Sequence, residues 1–309
     1  MIKNSGVSVV IPTFNSSWCI KRCINSCLLQ TILPLEIIIV DNGSKDNTIQ
    51  IIKSYQKKNN IIKLLKYDDK IGSPLARNFG AKIASGTYLA FLDADDWWEK
   101  DKLEKQLTVL NSEKVIAVLT GVKIYNSSGF LLNKNYTDTK VNRSELRKKI
   151  FLRDIHPITS TMVIKKKFFN KVSGFDKNFK RLHDYQLLGK LSDLGEIINI
   201  HAYLTNIENS SLSTTSNQSP YDIIKSYKLY YDYFIKIWDE VHVYKKEFWM
   251  RTYYIVGSYM HRKGLTKLAK EYYIKSLRNG FNFKTSFFLL ICYLPKYMQD
   301  YFSKRKWRF

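Results

Sequence analysis

The sequence predicts an α/β chain, a mostly parallel sheet flanked by helices, with a helical appendage at its carboxyl end. Three observations predict it. Apolar runs without polar alternation, at Val7–Ile11 and Glu36–Val40, read as strands buried on both faces, as in parallel sheets. Each run stops at turn or cap residues and gives way to a helical stretch, so strand and helix alternate. From about Tyr221 onward the composition shifts to Tyr, Lys, Phe and Leu at helical spacing with few turn signals.

Taken in order, Val7–Ile11 ends at Pro12, Thr13, Phe14, Asn15, and a helix follows from about Ser17 to Gln30. Within it Cys19, Cys23 and Cys27 recur every four residues on one face. That spacing is a small apolar packing stripe, and without a CxxC pair it offers no zinc site and favours a reduced compartment. Glu36–Val40 stops at Asp41, Asn42, Gly43, Ser44, and Asp46, Asn47 and Thr48 open a helix to about Lys58. Ile61–Leu65 is a third strand, Pro74–Ala84 a short helix, and Thr87–Leu92 a fourth strand.

Directly behind that strand, FLDADDWW at Phe91–Trp98 sets Asp93, Asp95 and Asp96 within four positions. Such crowding repels itself unless a cation is present. A strand ending in alternating carboxylates directs them to the crevice at the carboxyl edge of a sheet, where open α/β folds bind ligands. A hard divalent ion with oxygen ligands would relieve the repulsion and hold a ligand's phosphates. The alternative is structural, with Asp95 or Asp96 as the N-cap of a helix over Trp98–Leu110.

Five motifs in this order resemble the inverting family 2 glycosyltransferases of the GT-A fold, of bacterial cell-surface glycan type. They are VSVVIPTFN at Val7–Asn15, EIIIVDNGSKDNT at Glu36–Thr48, ARNFGAKIASGTYLAFLDADD at Ala76–Asp96, SGFDKNF at Ser173–Phe179 and HDYQLLGKL at His183–Leu191. The resemblance implies a Rossmann-like GT-A domain over residues 1–215 and leaves residues 216–309 as a basic, aromatic-rich helical domain. It assigns Pro12, Thr13, Phe14 and Asp41 to the donor's nucleotide base, with Arg77 on the donor side. It further implies that Asp93 contacts the ribose, that Asp95 binds a divalent metal, Mn2+ or Mg2+, and that Asp184 is the general base. The implied donor is a nucleotide-diphosphate sugar, usually a UDP-sugar in this family, and the acceptor is a growing surface glycan, such as lipopolysaccharide or capsule, or a lipid-linked oligosaccharide.

The chain departs from the family pattern in three places. Asn42 stands where a second aspartate is common. His183 stands where a glutamate often precedes the base; protonated and near, it would lower the pKa of Asp184, and otherwise it is an inert surface histidine. Beyond the strand-like Ile197–Leu204, many relatives carry an Arg and a His before Ser-x-Ser. Here Ser211, Leu212 and Ser213 are present, but Asn206 and Glu208 take the Arg and His places, which makes Glu208 a second candidate for the metal.

Those residue types suit the chemistry. The anomeric carbon loses a diphosphate as an acceptor oxygen arrives, so charge on the leaving group needs a metal and the acceptor hydroxyl needs a base. One displacement inverts the anomeric centre. No serine or cysteine nucleophile is signalled, since the chain has no G-x-S-x-G elbow and no Cys-His constellation.

The formal net charge of +23 needs a partner that acidic site motifs do not supply. Helices around Tyr221–Trp238, Lys245–Arg262 and Leu265–Arg278 would form a small bundle behind the linker Ser210–Pro220, and the tail Lys304–Phe309, KRKWRF, mixes cations with aromatics. That mixture fits an anionic membrane surface, with a merely solvated basic face as the alternative. No nucleic-acid-binding module is recognisable. Met1–Gly6 is too short and polar for a leader, and no segment reaches the roughly 18 apolar residues of a spanning helix. The expectation is a cytoplasmic protein peripherally bound to the inner face of the plasma membrane. A different class of function, a non-catalytic nucleotide-sugar-fold scaffold in a glycan assembly complex, has no need of Asp93, Asp95 and Asp184 together.

Overall fold

The computed structural model describes residues 6–209 and 219–294. The chain divides into two compact units, Met1–Ser213 and Thr214–Phe309.

The first unit opens with β1 (Val7–Thr13), α1 (Ile20–Leu28), β2 (Glu36–Asn42), α2 (Thr48–Gln56), β3 (Ile62–Tyr67), α3 (Ser73–Ile83) and β4 (Tyr88–Phe91). It continues through β5 (Trp97–Trp98), α4 (Lys102–Leu110), β6 (Val115–Asn126), β7 (Leu131–Asn135) and α5 (Arg143–Leu152). A 3-10 turn at Thr159–Thr161 precedes β8 (Val163–Lys165), α6 (Lys166–Lys171), α7 (His183–Ser192) and β9 (Glu196–Asn209). Among the described residues nine strands form one sheet in the order β3-β2-β1-β4-β8-β6-β9-β5, with β7 paired to β6 off that path. The pairs β3·β2, β2·β1 and β1·β4 are parallel, and β6 runs parallel to β9. Short β8 lies antiparallel between β4 and β6, so β1, β2, β3, β4, β6 and β9 share one direction and one carboxyl edge.

β1 and β2 are buried at every position, which explains their unbroken apolar sequences: helices cover both faces. Cys23, Ile24 and Cys27 of α1 pack into the same core as Val9, Ile11, Ile37 and Ile39. Burial pushes the Cys19 and Cys27 thiols up to about 12, in keeping with a packing role. A Cβ at Gly80 would collide with Val10 and press on Val40, so this glycine lets α3 lie close against β1 and β2. Gly43, at φ +85°, turns the chain after β2 where a side chain would strike the Asp68 carbonyl.

Two expectations need correction. The helix expected over Trp98–Leu110 begins at Lys102; Trp97 and Trp98 instead pair antiparallel with Asn206 and Thr205 of β9. The reason is tertiary, because Trp98 fills the core and donates its indole N–H to the Ser160 carbonyl at 2.8 Å. The expected strand Ile197–Leu204 extends to Asn209, because β6 gives it a partner along that length, and Asn206 and Glu208 lie within it.

The second unit contains α8 (Pro220–Ile237), a 3-10 turn (Asp239–Tyr244), α9 (Lys245–Arg262), α10 (Thr266–Asn279) and α11 (Phe283–Ile291). Ser219 caps α8 by accepting the Asp222 N–H, with Pro220 in the first turn where its missing N–H costs nothing. Tyr230, Phe234, Trp238, Phe248 and Tyr273 form its aromatic core. Among the described residues no helix is long and apolar enough to cross a membrane. The tail Lys304–Phe309 and the Ser211–Ser213 motif lie outside the described residues.

Candidate functional site

The parallel strands bring the motif residues to one edge. Thr13 ends β1 directly opposite Asp41 of β2, and Pro12 lies opposite Val40. The loops that follow are stitched to each other by side chains. Ser44 Oγ accepts the Asn15 N–H at 2.9 Å, Thr48 Oγ1 the Ser16 N–H at 2.8 Å, and Asp46 the Ser17 N–H at 3.0 Å. Burial opposes ionisation of Asp46, but hydrogen bonds from Thr48 and Ser17 outweigh it and hold the carboxyl down to about 2. Asn42 Oδ1 accepts the N–H groups of Ile71 and Gly72, at 2.6 and 3.2 Å, fixing the entry to α3. The amide at this departure from the family pattern therefore carries a structural load.

Two polar atoms in this framework lack partners. Asp41 accepts the Ser44 N–H on Oδ2 at 3.1 Å, yet its Oδ1 and the Thr13 hydroxyl are buried without hydrogen bonds. Orphaned groups of this kind are costly unless a ligand completes them. Beside them the ring of Phe14 carries the Lys70 ammonium 4.3 Å from its centroid.

The carboxylates beyond β4 are held by contacts from distant parts of the chain. Asp93 is ion-paired with Arg77, which is 3 % exposed. The same guanidinium donates through Nη1 to His183 Nε2 at 3.0 Å and sits 5.4 Å from the Phe175 ring. Since an arginine only donates, His183 Nε2 is the accepting nitrogen. Burial and then the Arg77 charge hold the His183 imidazole down to about 3, so it is neutral. This corrects both expectations for His183: a neutral ring cannot lower the pKa of Asp184, and it is no idle surface group, because it fastens α7 to Arg77.

Asp184 lies in the first turn of α7 and accepts the N–H of Tyr185 at 2.9 Å, while Leu182 occupies the N-cap. Burial pushes its carboxyl up to about 6 despite that hydrogen bond and the nearby Arg77 charge. Asp95 is likewise pushed up to about 6, by burial and by the charge of Asp93, with Glu208 adding to the effect and Arg22 opposing it. Asp96 caps no helix. It is buried and takes the Ser160 hydroxyl at 2.5 Å, while Ser160 Oγ also accepts the Asp93 N–H at 3.0 Å. Burial raises its pKa well above the carboxylate range.

Glu208 is ion-paired with Arg22 at 2.6 Å. Asn206 donates to Glu99 at 3.2 Å, and Glu99 also takes Lys123 at 2.7 Å, which binds β9 to β5. Among the described residues no group of three or more His, Cys, Asp and Glu side chains is arranged to hold a metal. The chemistry of Asp95 and Glu208 nonetheless fits a hard divalent cation: both offer oxygen, and the desolvated Asp95 carboxyl is surrounded by more negative than positive charge. Sequence reasoning missed Arg22, Ser160 and Lys70. Nothing local marks the first two, since their partners lie far away in the chain.

The family model for glycosyl transferase family 2 matches residues 8–173. An uncharacterised glycosyltransferase of Rickettsia prowazekii is 31% identical over 214 residues, covering 68% of this chain and 66% of its own length. The putative teichuronic acid biosynthesis glycosyltransferase TuaG of Bacillus subtilis is 38% identical over 128 residues, 41% of this chain and 51% of that protein. The chondroitin synthase of Pasteurella multocida is 29% identical over 62% of this chain and 19% of its own length. The chain thus spans a fifth to about two thirds of these relatives. In fold it is similar to Staphylococcus aureus TarS 1-349 in complex with UDP-GlcNAc, at 18% identity and a TM-score of 0.62, over 98% of this chain and 93% of that one. With more than half its length under the family model and the fold of such a structure, the chain belongs to glycosyl transferase family 2.

Proposed function

We propose that the chain is an inverting glycosyltransferase that moves a sugar from a nucleotide-diphosphate sugar, a UDP-sugar, to a hydroxyl of a surface glycan or lipid-linked oligosaccharide. The observation that carries the reading is the chain of contacts Asp93, Arg77, His183, which ties the donor-side carboxylate to the helix turn bearing Asp184. Donor and acceptor chemistry thereby share one rigid cluster at the carboxyl edge of the sheet.

Asp41 Oδ1 and the Thr13 hydroxyl receive the hydrogen-bonding edge of the base, with Pro12 and Phe14 lining that pocket. Asp93 takes the ribose while Arg77 keeps its carboxylate in place. A divalent cation, Mn2+ or Mg2+, held by Asp95 with Glu208 would supply Lewis-acid neutralisation of the departing diphosphate. On the opposite side of the anomeric carbon Asp184 removes the acceptor hydroxyl's proton. A carboxyl held near 6 is ionised at neutral pH yet more basic than an ordinary aspartate, which suits it to that task.

The same reading locates the protein in the cytoplasm on the inner face of the plasma membrane. Its support is the exposed set Phe281, Phe283, Leu290 and Tyr293 around α11, with Lys270 lying over Tyr293 at 3.8 Å. The test of the enzymatic reading is release of nucleoside diphosphate from a panel of nucleotide sugars, with and without chelator. Metal-dependent release from at least one uridine diphosphate sugar is expected. No release from any donor in the presence of Mn2+ or Mg2+ would overturn it.

A further inference from the structure

Asn206 and Glu208 lie near the carboxyl end of β9. β9 therefore brings a negative charge, and Asn206 is committed to Glu99. A donor diphosphate arriving beside Asp95 adds negative charge to an edge already rich in it, which a cation from the protein would offset beside any metal.

The structure supplies one from the opposite direction. Arg22 of α1 donates through Nη2 to the Asp95 carbonyl at 2.9 Å and to Glu208 at 2.6 Å. Its guanidinium carbon lies over Trp97, 3.8 Å from the ring centroid, and Trp97 is packed in turn against Tyr125 at 5.3 Å. The ring contact holds the group in place without consuming its donors. Nε is buried with no hydrogen-bond partner, and the Arg22 side chain is 38% exposed. A planar cation with spare N–H groups beside the acidic loop has the geometry that recognises phosphate oxygens.

We propose that Arg22 is the diphosphate-binding cation of this chain, held ready by Glu208 and released to the donor when the pair opens. The proposal rests on the donor-site reading above. On binding, the guanidinium exchanges a carboxylate for a phosphate oxygen and Glu208 turns to the cation side of the diphosphate. The cation for the diphosphate thus comes from α1, 186 positions away in the sequence from Glu208.

The experiment is calorimetric titration of the full chain with uridine and with uridine diphosphate, in chelator, for wild type, Arg22→Ala and Glu208→Gln. Arg22→Ala is expected to weaken uridine diphosphate by about tenfold while leaving uridine unchanged, because only the phosphates meet the guanidinium. Glu208→Gln is expected to tighten uridine diphosphate severalfold, since the guanidinium no longer has to leave a carboxylate. If the pair is merely a pin between α1 and β9, Glu208→Gln will weaken or not alter binding, and the proposal fails. It fails also if Arg22→Ala binds uridine diphosphate like wild type. Wild type that binds uridine but gains nothing from the diphosphate overturns this inference alone; binding of neither overturns the donor reading with it.

Discussion

The two halves of the crevice are built by opposite means. The half at β1 and β2 is assembled from neighbouring loops whose side chains bond each other's backbone, Asn15 to Ser44, Ser16 to Thr48 and Asn42 to Ile71, across 29 to 32 positions. The half around Asp93, Asp95 and Asp184 is assembled from side chains that meet across the whole unit: Arg77 with His183 over 106 positions, Ser160 with Asp96 over 64, Arg22 with Glu208 over 186. The first half is stiff through hydrogen bonds and holds little charge. The second concentrates carboxylates restrained by cations and hydroxyls, several of them distant in sequence, so substitutions there should alter chemistry more than shape.

Asp95→Ala offers the sharpest contrast. It should cut turnover by about 100-fold or more, since a Lewis acid on the leaving group is worth several kcal/mol, while uridine binding at the other half persists. Full turnover of the variant, or of wild type in excess chelator, would remove Asp95 from the metal's role. Ser160→Ala comes next and tests restraint rather than chemistry. It strips the hydrogen bonds from Asp96 and from the Asp93 N–H, so urea denaturation should register a loss of about 2 kcal/mol. An unchanged midpoint would mean the acidic loop does not depend on that hydroxyl.

The same contrast separates what the sequence revealed from what it concealed. β1, β2, β3, α3 and β4 were legible within a few residues, because buried parallel strands carry unbroken apolar runs bounded by turn and cap residues. Motif order singled out Asp41, Arg77, Asp93 and Asp184, and the fold brings two of them, Arg77 and Asp93, into an ion pair. The two-residue strand Trp97–Trp98 was not, since local pattern favours a helix there and only β9 and the Ser160 carbonyl decide otherwise. Neither was the role of His183, whose neutrality comes from burial and from Arg77. Arg22 carries no local signal at all. Charge partners in tertiary contact leave no periodicity for a sequence to display.

At the base half a smaller effect is expected. Asp41→Ala removes the buried acceptor opposite Thr13, so uridine should bind about tenfold more weakly and the Asp184 chemistry should be spared once donor saturates. Undiminished uridine affinity would move the base elsewhere. Smallest on turnover is deletion of Lys296–Phe309, which should shift the protein from anionic vesicles to the soluble fraction, most clearly as salt rises, with transfer to a small soluble acceptor intact. Retained vesicle binding would favour a solvated basic face.

The central claim is that one carboxylate, tied through His183 and Arg77 to the donor side, removes the acceptor's proton. Asp184→Asn tests it most directly, because the change is almost isosteric and abolishes basicity alone. The account predicts a rate lower by about 100-fold or more with donor affinity near that of wild type. Wild-type turnover should fall as pH drops through about 6, where Asp184 takes up a proton, and the residual rate of the variant should lose that inflection. A variant that binds donor normally and transfers at the wild-type rate would contradict the account.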